Sequence, residues 1–338
     1  MNYDKRSINF VLFGYYGFGN LGDELLCSSL VNELLHLGYD AETLRILVGT
    51  DDSTAKTLGI TSLFRKNIFA NIKTFLKTKV FLFGGGGIFQ DEKNILSCLY
   101  YLFYEFIAKI CGCKIYMIGQ SIGPLNTKLG SLITCIAFKL ASKVTVRDEQ
   151  SKEYLDFHSI GSHLHSDLVL LLNNFDRSTS IDMSQNSYVL LNVRDGYANF
   201  AELVVKKAVN FVANSNLQLK YIAFSLGDKS EFERLIKVGF LPKLPVILVK
   251  NLDQFEAEAA CARFALGMRL HFCILSAAFR LPISLCPYNP KVRSFAEEYN
   301  LPLLEDNTPA VMFRKIEQGD FNRLVAEKIL LEQILSNI

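Results

Sequence analysis

Short apolar runs that close on glycine alternate along this chain with longer stretches in which leucine recurs at helical spacing. Residues 9–13 are apolar and end at Gly14, and 23–35 then place Leu26, Leu30 and Leu34 four residues apart. The pattern predicts strand, glycine-rich turn and helix. It repeats. Residues 79–83 run into the glycines at 84–87 and a helical stretch at 94–109; 114–118 end at Gly119 before a helix at 128–140; 144–146 form a further strand. Strands alternating with helices over the first ~165 residues predict a doubly wound parallel sheet.

At 173–186 the composition turns to Asn, Asp, Ser and Thr, as in a linker, and the alternation then restarts. Strands are predicted at 188–193, 219–224, 246–249, 264–266 and near Ile283, with helices at 201–212, 252–261 and from Leu270. The expected fold class is α/β: two Rossmann-like, GT-B-like domains facing across a cleft. The first is placed at 1–172 and the second at 187–305. A helical segment follows at 306–338, whose amphipathic part, 321–335, is expected to pack on its own domain. Ligands of open α/β sheets bind beyond the carboxyl ends of strands, and every motif below falls at such an end.

Composition narrows the function without naming it. A net charge of +2 with no block of like charge gives no nucleic-acid footprint. The apolar run 96–118 contains Glu105, Lys109 and Lys114 and is split by Gly112, so it reads as a buried helix and strand rather than a membrane span. The 8 cysteines lack a CxxC or disulfide rhythm, and no signal peptide precedes the first apolar run. Buried free thiols and a cytoplasmic protein are expected, with association at the inner face of a membrane left open.

Four sets of residues carry candidate chemistry. In 14–24, Gly17, Gly19 and Gly22 allow close backbone approach, while the acidic Asp23 and Glu24 disfavour a pyrophosphate there. Either Asp23 caps the helix or Gly17, Asn20 and Asp23 meet a neutral, hydroxylated ligand. Four successive glycines at 84–87 exceed the need of a turn, so the amides of Gly85, Gly86 and Gly87, with Asp91, are candidates to line a ligand. Gln120 and Arg147 follow the next strands. Arg147 either meets an anion or pairs with Asp148 or Glu149. Last come Arg269, Leu270 and His271 at a strand-to-helix corner, and Lys291 after the turn 287–290. His271 alone reads equally as a core histidine, and Lys291 alone as a surface charge. Together with Arg147 and Arg269 they form a cationic set in a nearly neutral protein. His163 and His165 could form half of a metal site, but no third ligand is indicated and no metal is expected.

These segments resemble the polysaccharide pyruvyl transferase family. The resemblance rests on GYYGFGNLGDE at 14–24, GGGGIFQD at 84–91, GQSIGP at 119–124, VRDEQS at 146–151, GMRLH at 267–271 and PYNPKV at 287–292. It implies a bacterial enzyme that moves a pyruvyl group from phosphoenolpyruvate to a sugar as a ketal. The sugar would belong to a polysaccharide or to its lipid-linked precursor. It also implies that Arg147, Arg269, His271 and Lys291 bind or activate phosphoenolpyruvate, while the glycine loops shape the acceptor side. The segment 272–275 departs from the family in being bulky.

Ketal formation requires a general acid, and His271 is the histidine in a phosphate-binding context. Arg269 and Lys291 would stabilise departing phosphate. Asp23, Asp91 and Asp148 are candidate bases, and no cofactor beyond the co-substrate is expected. Two rivals share the architecture: a nucleotide-sugar glycosyltransferase and a non-catalytic carbohydrate-binding protein.

Overall fold

The computed structural model describes residues 6–92, 94–172, 187–322 and 333–335. The chain divides into two units, Met1–Leu172 with Ala326–Ile338, and Asn173–Val325.

Unit 1 is built on a parallel sheet in the order β3-β2-β1-β4-β5-β6-β7. Its strands are β1 (Ile8–Phe13), β2 (Leu44–Val48), β3 (Thr61–Phe64), β4 (Thr78–Phe89), β5 (Lys114–Ile122), β6 (Lys143–Val146) and β7 (His163–Leu164). Strand order reverses between β1 and β4, the switch point at which such sheets open a crevice. Apolar residues on both faces of β1 and β4 demand cover on both sides. Helices α1 (Leu21–His36) and α2 (Ser53–Thr57) close one face over Phe10, Leu12 and Leu82. Helices α3 (Ile68–Phe75), α4 (Leu96–Ile110), α5 (Lys128–Leu140) and α6 (Glu149–Phe157) close the other over Val11, Phe13 and Phe81.

Two strands outrun their prediction. The glycines at 84–87 lie within β4, and Gly119 to Ser121 lie within β5. Positive φ at Gly85, Gly86 and Gly119 lets the chains bulge without losing their pairing, so the register shifts between Gly86 and Phe89 and between Met117 and Gln120. The run 96–118 is α4 and β5, parted by Gly112, and among the described residues no helix is long and apolar enough to cross a membrane.

Unit 2 carries a second parallel sheet, β10-β9-β8-β11-β12. Its strands are β8 (Tyr188–Asn192), β9 (Gln218–Ala223), β10 (Val246–Leu248), β11 (Ala262–Gly267) and β12 (Ile283–Leu285). Its helices are α7 (Ala198–Ala213), α8 (Leu226–Lys237), α9 (Leu252–Ala260), α10 (Leu270–Ala278) and α11 (Pro290–Glu298). The switch point falls between β8 and β11.

The C-terminal part differs from its expectation. Residues 306–317 are not helical; Arg314 bridges Ile283 in antiparallel sense at the edge of the second sheet. Beyond them, Ile334 and Leu335 pack into unit 1, and Lys143 Nζ donates to the Ile334 carbonyl at 3.2 Å. The last described residues of the amphipathic stretch, 333–335, thus pack on unit 1, while residues 323–332 lie outside the described part. All the cysteines are free thiols, and seven are buried as expected; Cys261 is exposed.

Candidate active site

In unit 2 the carboxyl edge is knitted by Asn192, which is fully buried at the end of β8. Its backbone and side-chain oxygens accept from the amides of Met268 and Arg269, each at 3.1 Å, and its Nδ2 donates to the Ile222 carbonyl at 2.8 Å. Gly267 pairs with Asn192 on one side and Leu285 on the other. The segments 193–197, 268–271 and 286–291 therefore leave one edge as neighbours.

His271 lies in the first turn of α10, and Lys291 in the first turn of α11, where Asn289 caps the helix by accepting from Val292 N at 3.0 Å. Two helix N-termini, each equivalent to about half a positive charge, thus open beside His271 and Lys291. Leu270 is half-buried as the first residue of α10. The bulky residues after His271 do not crowd this edge, because Phe272, Cys273, Ile274 and Leu275 are buried in the core. The Phe272 ring lies where a methyl on Gly267 would sit, 2.3 Å away.

Arg269 is differently placed from an open cation. Its Nε donates to both Asp228 carboxylate oxygens at 2.8 and 2.6 Å, and its Nη2 to Asp228 Oδ1 at 2.6 Å and Ser225 Oγ at 2.7 Å. Asp195 adds a longer pair at 3.3 Å. Much of its charge is committed to a fully buried carboxylate.

Arg194, which the motif reading passed over, stands at the same edge. It donates to Tyr288 Oη at 2.6 Å, and its guanidinium lies 5.4 Å from the Tyr288 ring centre and 5.7 Å from that of Tyr197. Burial pushes the Tyr288 phenol up, although Arg194 works against that rise. The signal was present in the sequence: Val193-Arg194-Asp195 repeats Val146-Arg147-Asp148, each after a strand.

In unit 1 the Gly14 to Gly22 loop is held mainly by protein. Glu24 Oε1 accepts from Gly17 N at 2.8 Å, and burial raises the Glu24 pKa despite that bond. A methyl on Gly17 would come within 2.3 Å of the Asp51 carbonyl, so this glycine serves backbone contact. Asn20, rather than Asp23, occupies the cap position of α1 and donates to Asp23 from its side chain. Gly84 and Gly85 pack against Leu26, Leu30 and Leu168, which occupy the room that a ligand would need. Gly86 faces Asp23, whose Oδ1 lies 3.2 Å from a methyl placed there, and Gly86 is the register partner of Gln120. Gln120 is fully buried, and its Oε1 has no hydrogen-bond partner among the described residues. Asp23, Gly86 and Gln120 thus come together, with Gly87 next in the strand.

Asp91 and Asp148 act as local anchors. Asp91 accepts from the Asn126 and Thr127 amides at 2.5 and 2.9 Å and from Thr127 Oγ1 at 2.5 Å. Burial favours its neutral form, but these bonds prevail and hold its carboxyl below the usual range. Asp148 caps α6 through Ser151 N and Oγ. Arg147 pairs at 2.6 Å with Asp167. His165 is buried while His163 is exposed, and both His165 nitrogens are engaged by Thr145 Oγ1 and the Ser166 carbonyl, each at 2.6 Å.

Two parallel α/β units with chemistry-bearing loops at their carboxyl edges define the GT-B-like class, and solved structures agree. Similar folds include a Staphylococcus aureus MnaA–UDP co-structure (TM-score 0.58, 13% identity, 97% of this chain and 88% of that one). The UDP-GlcNAc 2-epimerase from Methanocaldococcus jannaschii is also similar (TM-score 0.57, 12% identity, 96% and 99%). So is a glycosyltransferase from Rickettsia africae (TM-score 0.56, 11% identity, 98% and 93%). At these identities the likeness is one of fold. A search of the curated proteins found no match. The polysaccharide pyruvyl transferase family profile matches residues 20–290, and the chain belongs to that family. It is therefore a transferase of polysaccharide biosynthesis.

Proposed function

We propose that this transferase takes phosphoenolpyruvate as its pyruvyl donor at the carboxyl edge of unit 2 and forms a pyruvate ketal on a sugar. The observation that carries the reading is the meeting of α10 and α11 at adjacent strand ends, with His271 and Lys291 in their first turns and Arg194 beside them. A donor with a carboxylate and a phosphate requires this kind of mixed cationic edge.

His271, as imidazolium, gives a proton to the donor's methylene carbon, which makes the central carbon electrophilic. A sugar hydroxyl oxygen attacks that carbon and loses its proton to a base. The bond from the central carbon to the phosphate oxygen then breaks, phosphate leaves against Lys291 and the helix N-termini, and a second sugar hydroxyl attacks the same carbon and closes the ketal, its proton returning to the His271 imidazole. The steps need no oxidant or reductant. Arg269, held by Asp228, fixes the corner that leads into His271. Asp91 is committed to the Asn126 and Thr127 amides and Asp148 to the cap of α6. Gln120 Oε1 offers an acceptor for a sugar hydroxyl.

Thermal stabilisation tests the donor without knowledge of the sugar. Phosphoenolpyruvate at a hundred times its Kd should stabilise the chain by about 2.7 kcal/mol. Uridine diphosphate and inorganic phosphate at equal concentration should do less, and Lys291→Ala should remove the difference. Stabilisation by uridine diphosphate in preference to phosphoenolpyruvate would replace the reading with a nucleotide-sugar glycosyltransferase.

A further inference from the structure

The outer face of unit 1 is apolar where water should meet polar side chains. On α4, Leu96, Leu99, Phe103, Phe106 and Ile110 recur in steps of three and four, and all are exposed, up to 83% at Ile110. They point away from the sheet, since Cys98, Tyr101, Tyr104 and Ala108 fill the opposite side of the helix. Helix α5 covers the same face of the sheet beside α4 and exposes Leu129, Leu132 and Ile136. Helix α3, also on that face, adds Phe69, 81% exposed. Single surface hydrophobics are ordinary, but a contiguous face of this kind marks an interaction site.

The charges around it select the occupant. Lys66, Lys73, Lys77, Lys109, Lys128 and Lys139 are exposed on these helices and their ends. Of the acidic residues between 66 and 142, Asp91 and Glu105 are buried and only Glu92 is exposed. Helix α6 on the same face exposes Glu149, Glu153 and Asp156, the last paired with Lys152, but α3, α4 and α5 carry no exposed carboxylate, so a second copy docked on them by two-fold symmetry would set lysine against lysine. An anionic lipid surface satisfies the apolar face and the lysines at once.

We propose that α4 and α5 dock unit 1 onto an anionic phospholipid bilayer. The apolar side chains enter the head-group and acyl boundary, and the lysines lie among the phosphates. This surface does not depend on the donor chemistry assigned to unit 2.

Flotation of the full chain with vesicles tests the assignment. Recovery is expected with phosphatidylcholine–phosphatidylglycerol vesicles, little with phosphatidylcholine alone, and less as salt rises. Lys128→Ala combined with Lys139→Ala should weaken partitioning about 30-fold, at about 1 kcal/mol per lysine. Phe103→Ser combined with Phe106→Ser should abolish it. Both double variants should keep the wild-type circular dichroism and Tm, because the altered side chains are exposed. Failure of folded wild type to float with phosphatidylglycerol vesicles overturns the proposal. So does equal flotation of wild type and both variants. A dimer in sedimentation that the two serines dissociate, without vesicle binding, overturns it in favour of a second copy.

Discussion

Arg269 grips Asp228 with two nitrogens, Nε and Nη2, at 2.6 to 2.8 Å from its carboxylate oxygens, and Asp228 is fully buried. The pair ties β11 to the start of α8 and fixes the corner that leads into His271. Removing one partner strands a buried charge, so Asp228→Ala is expected to lose about 3 to 5 kcal/mol in denaturant unfolding. Asp228→Asn, which keeps the shape and some hydrogen bonding, should lose less. An exposed, interchangeable pair would instead cost under about 1 kcal/mol.

Arg194 offers the contrasting test. It is half-buried and stacked beside Tyr197 and Tyr288, and among the described residues no carboxylate lies in salt-bridge contact with it. Arg194→Ala should leave most of the Tm intact yet cut stabilisation by phosphoenolpyruvate, with Kd rising at least about tenfold for the lost charge-assisted bonds. Lysine at this position should restore only part of that, since it lacks the planar fork. Unchanged ligand stabilisation in Arg194→Ala would remove this residue from the donor site.

The alternating architecture was legible because glycine closes the apolar runs at 13, 83 and 118, where a strand must turn or bulge. Whether it turns or bulges was not legible. Gly84 to Gly87 read as amides lining a ligand, because their neighbours were not visible: Leu26, Leu30 and Leu168 come from distant segments and pack where side chains of residues 84 and 85 would have been. The same distance hid the partners of the arginines. Asp228 lies 41 residues from Arg269 and Asp167 lies 20 from Arg147, so a reading limited to adjacent acids named Asp148 and Glu149 instead. Arg194 was the reverse case, a residue whose Val-Arg-Asp context was visible before folding. The return of Leu335 to unit 1 depends on tertiary packing that amphipathic spacing cannot specify.

Gly119 provides a stability prediction of the packing kind. It has φ 65, and a methyl there would lie 2.7 Å from Leu168. Gly119→Ala should therefore combine backbone strain with overpacking and cost about 2 to 4 kcal/mol. Adding Leu168→Ala should relieve the overpacking but not the strain, so a double-mutant cycle should show favourable coupling. Simple additivity would refute the contact.

Glu105 should shape the alkaline side of stability. It is fully buried on α4, neither carboxylate oxygen has a hydrogen-bond partner among the described residues, and burial pushes its pKa to about 9. The folded chain keeps this proton, whereas the unfolded chain releases it near pH 4.5. The unfolded state thus binds fewer protons between these values, and stability falls as pH rises from about 4.5 to 9. At pH 7 the cost is about 3 kcal/mol. Glu105→Gln should match wild type near pH 4.5 and exceed it increasingly towards pH 9, as read by urea unfolding.

His165 should act at the acidic side with a related sign. Its Nδ1 faces the Ser166 carbonyl, which can only accept, so Nδ1 carries the hydrogen and Nε2 accepts from Thr145 Oγ1. Thr145 Oγ1 in turn accepts from Gly119 N at 2.8 Å, which ties the imidazole to the bulge of β5. A second proton would replace the acceptor with a donor facing the threonine hydroxyl. Burial, the largest influence, holds the imidazole pKa below its ordinary value. As pH falls through about 6.5 the unfolded chain gains a proton that the folded chain resists, so stability drops until the lowered folded pKa is passed. The difference in unfolding free energy between wild type and His165→Gln should therefore be constant above about pH 7.5 and shrink between pH 7 and 5. A difference independent of pH over that range would show that the imidazole is not held neutral by the fold.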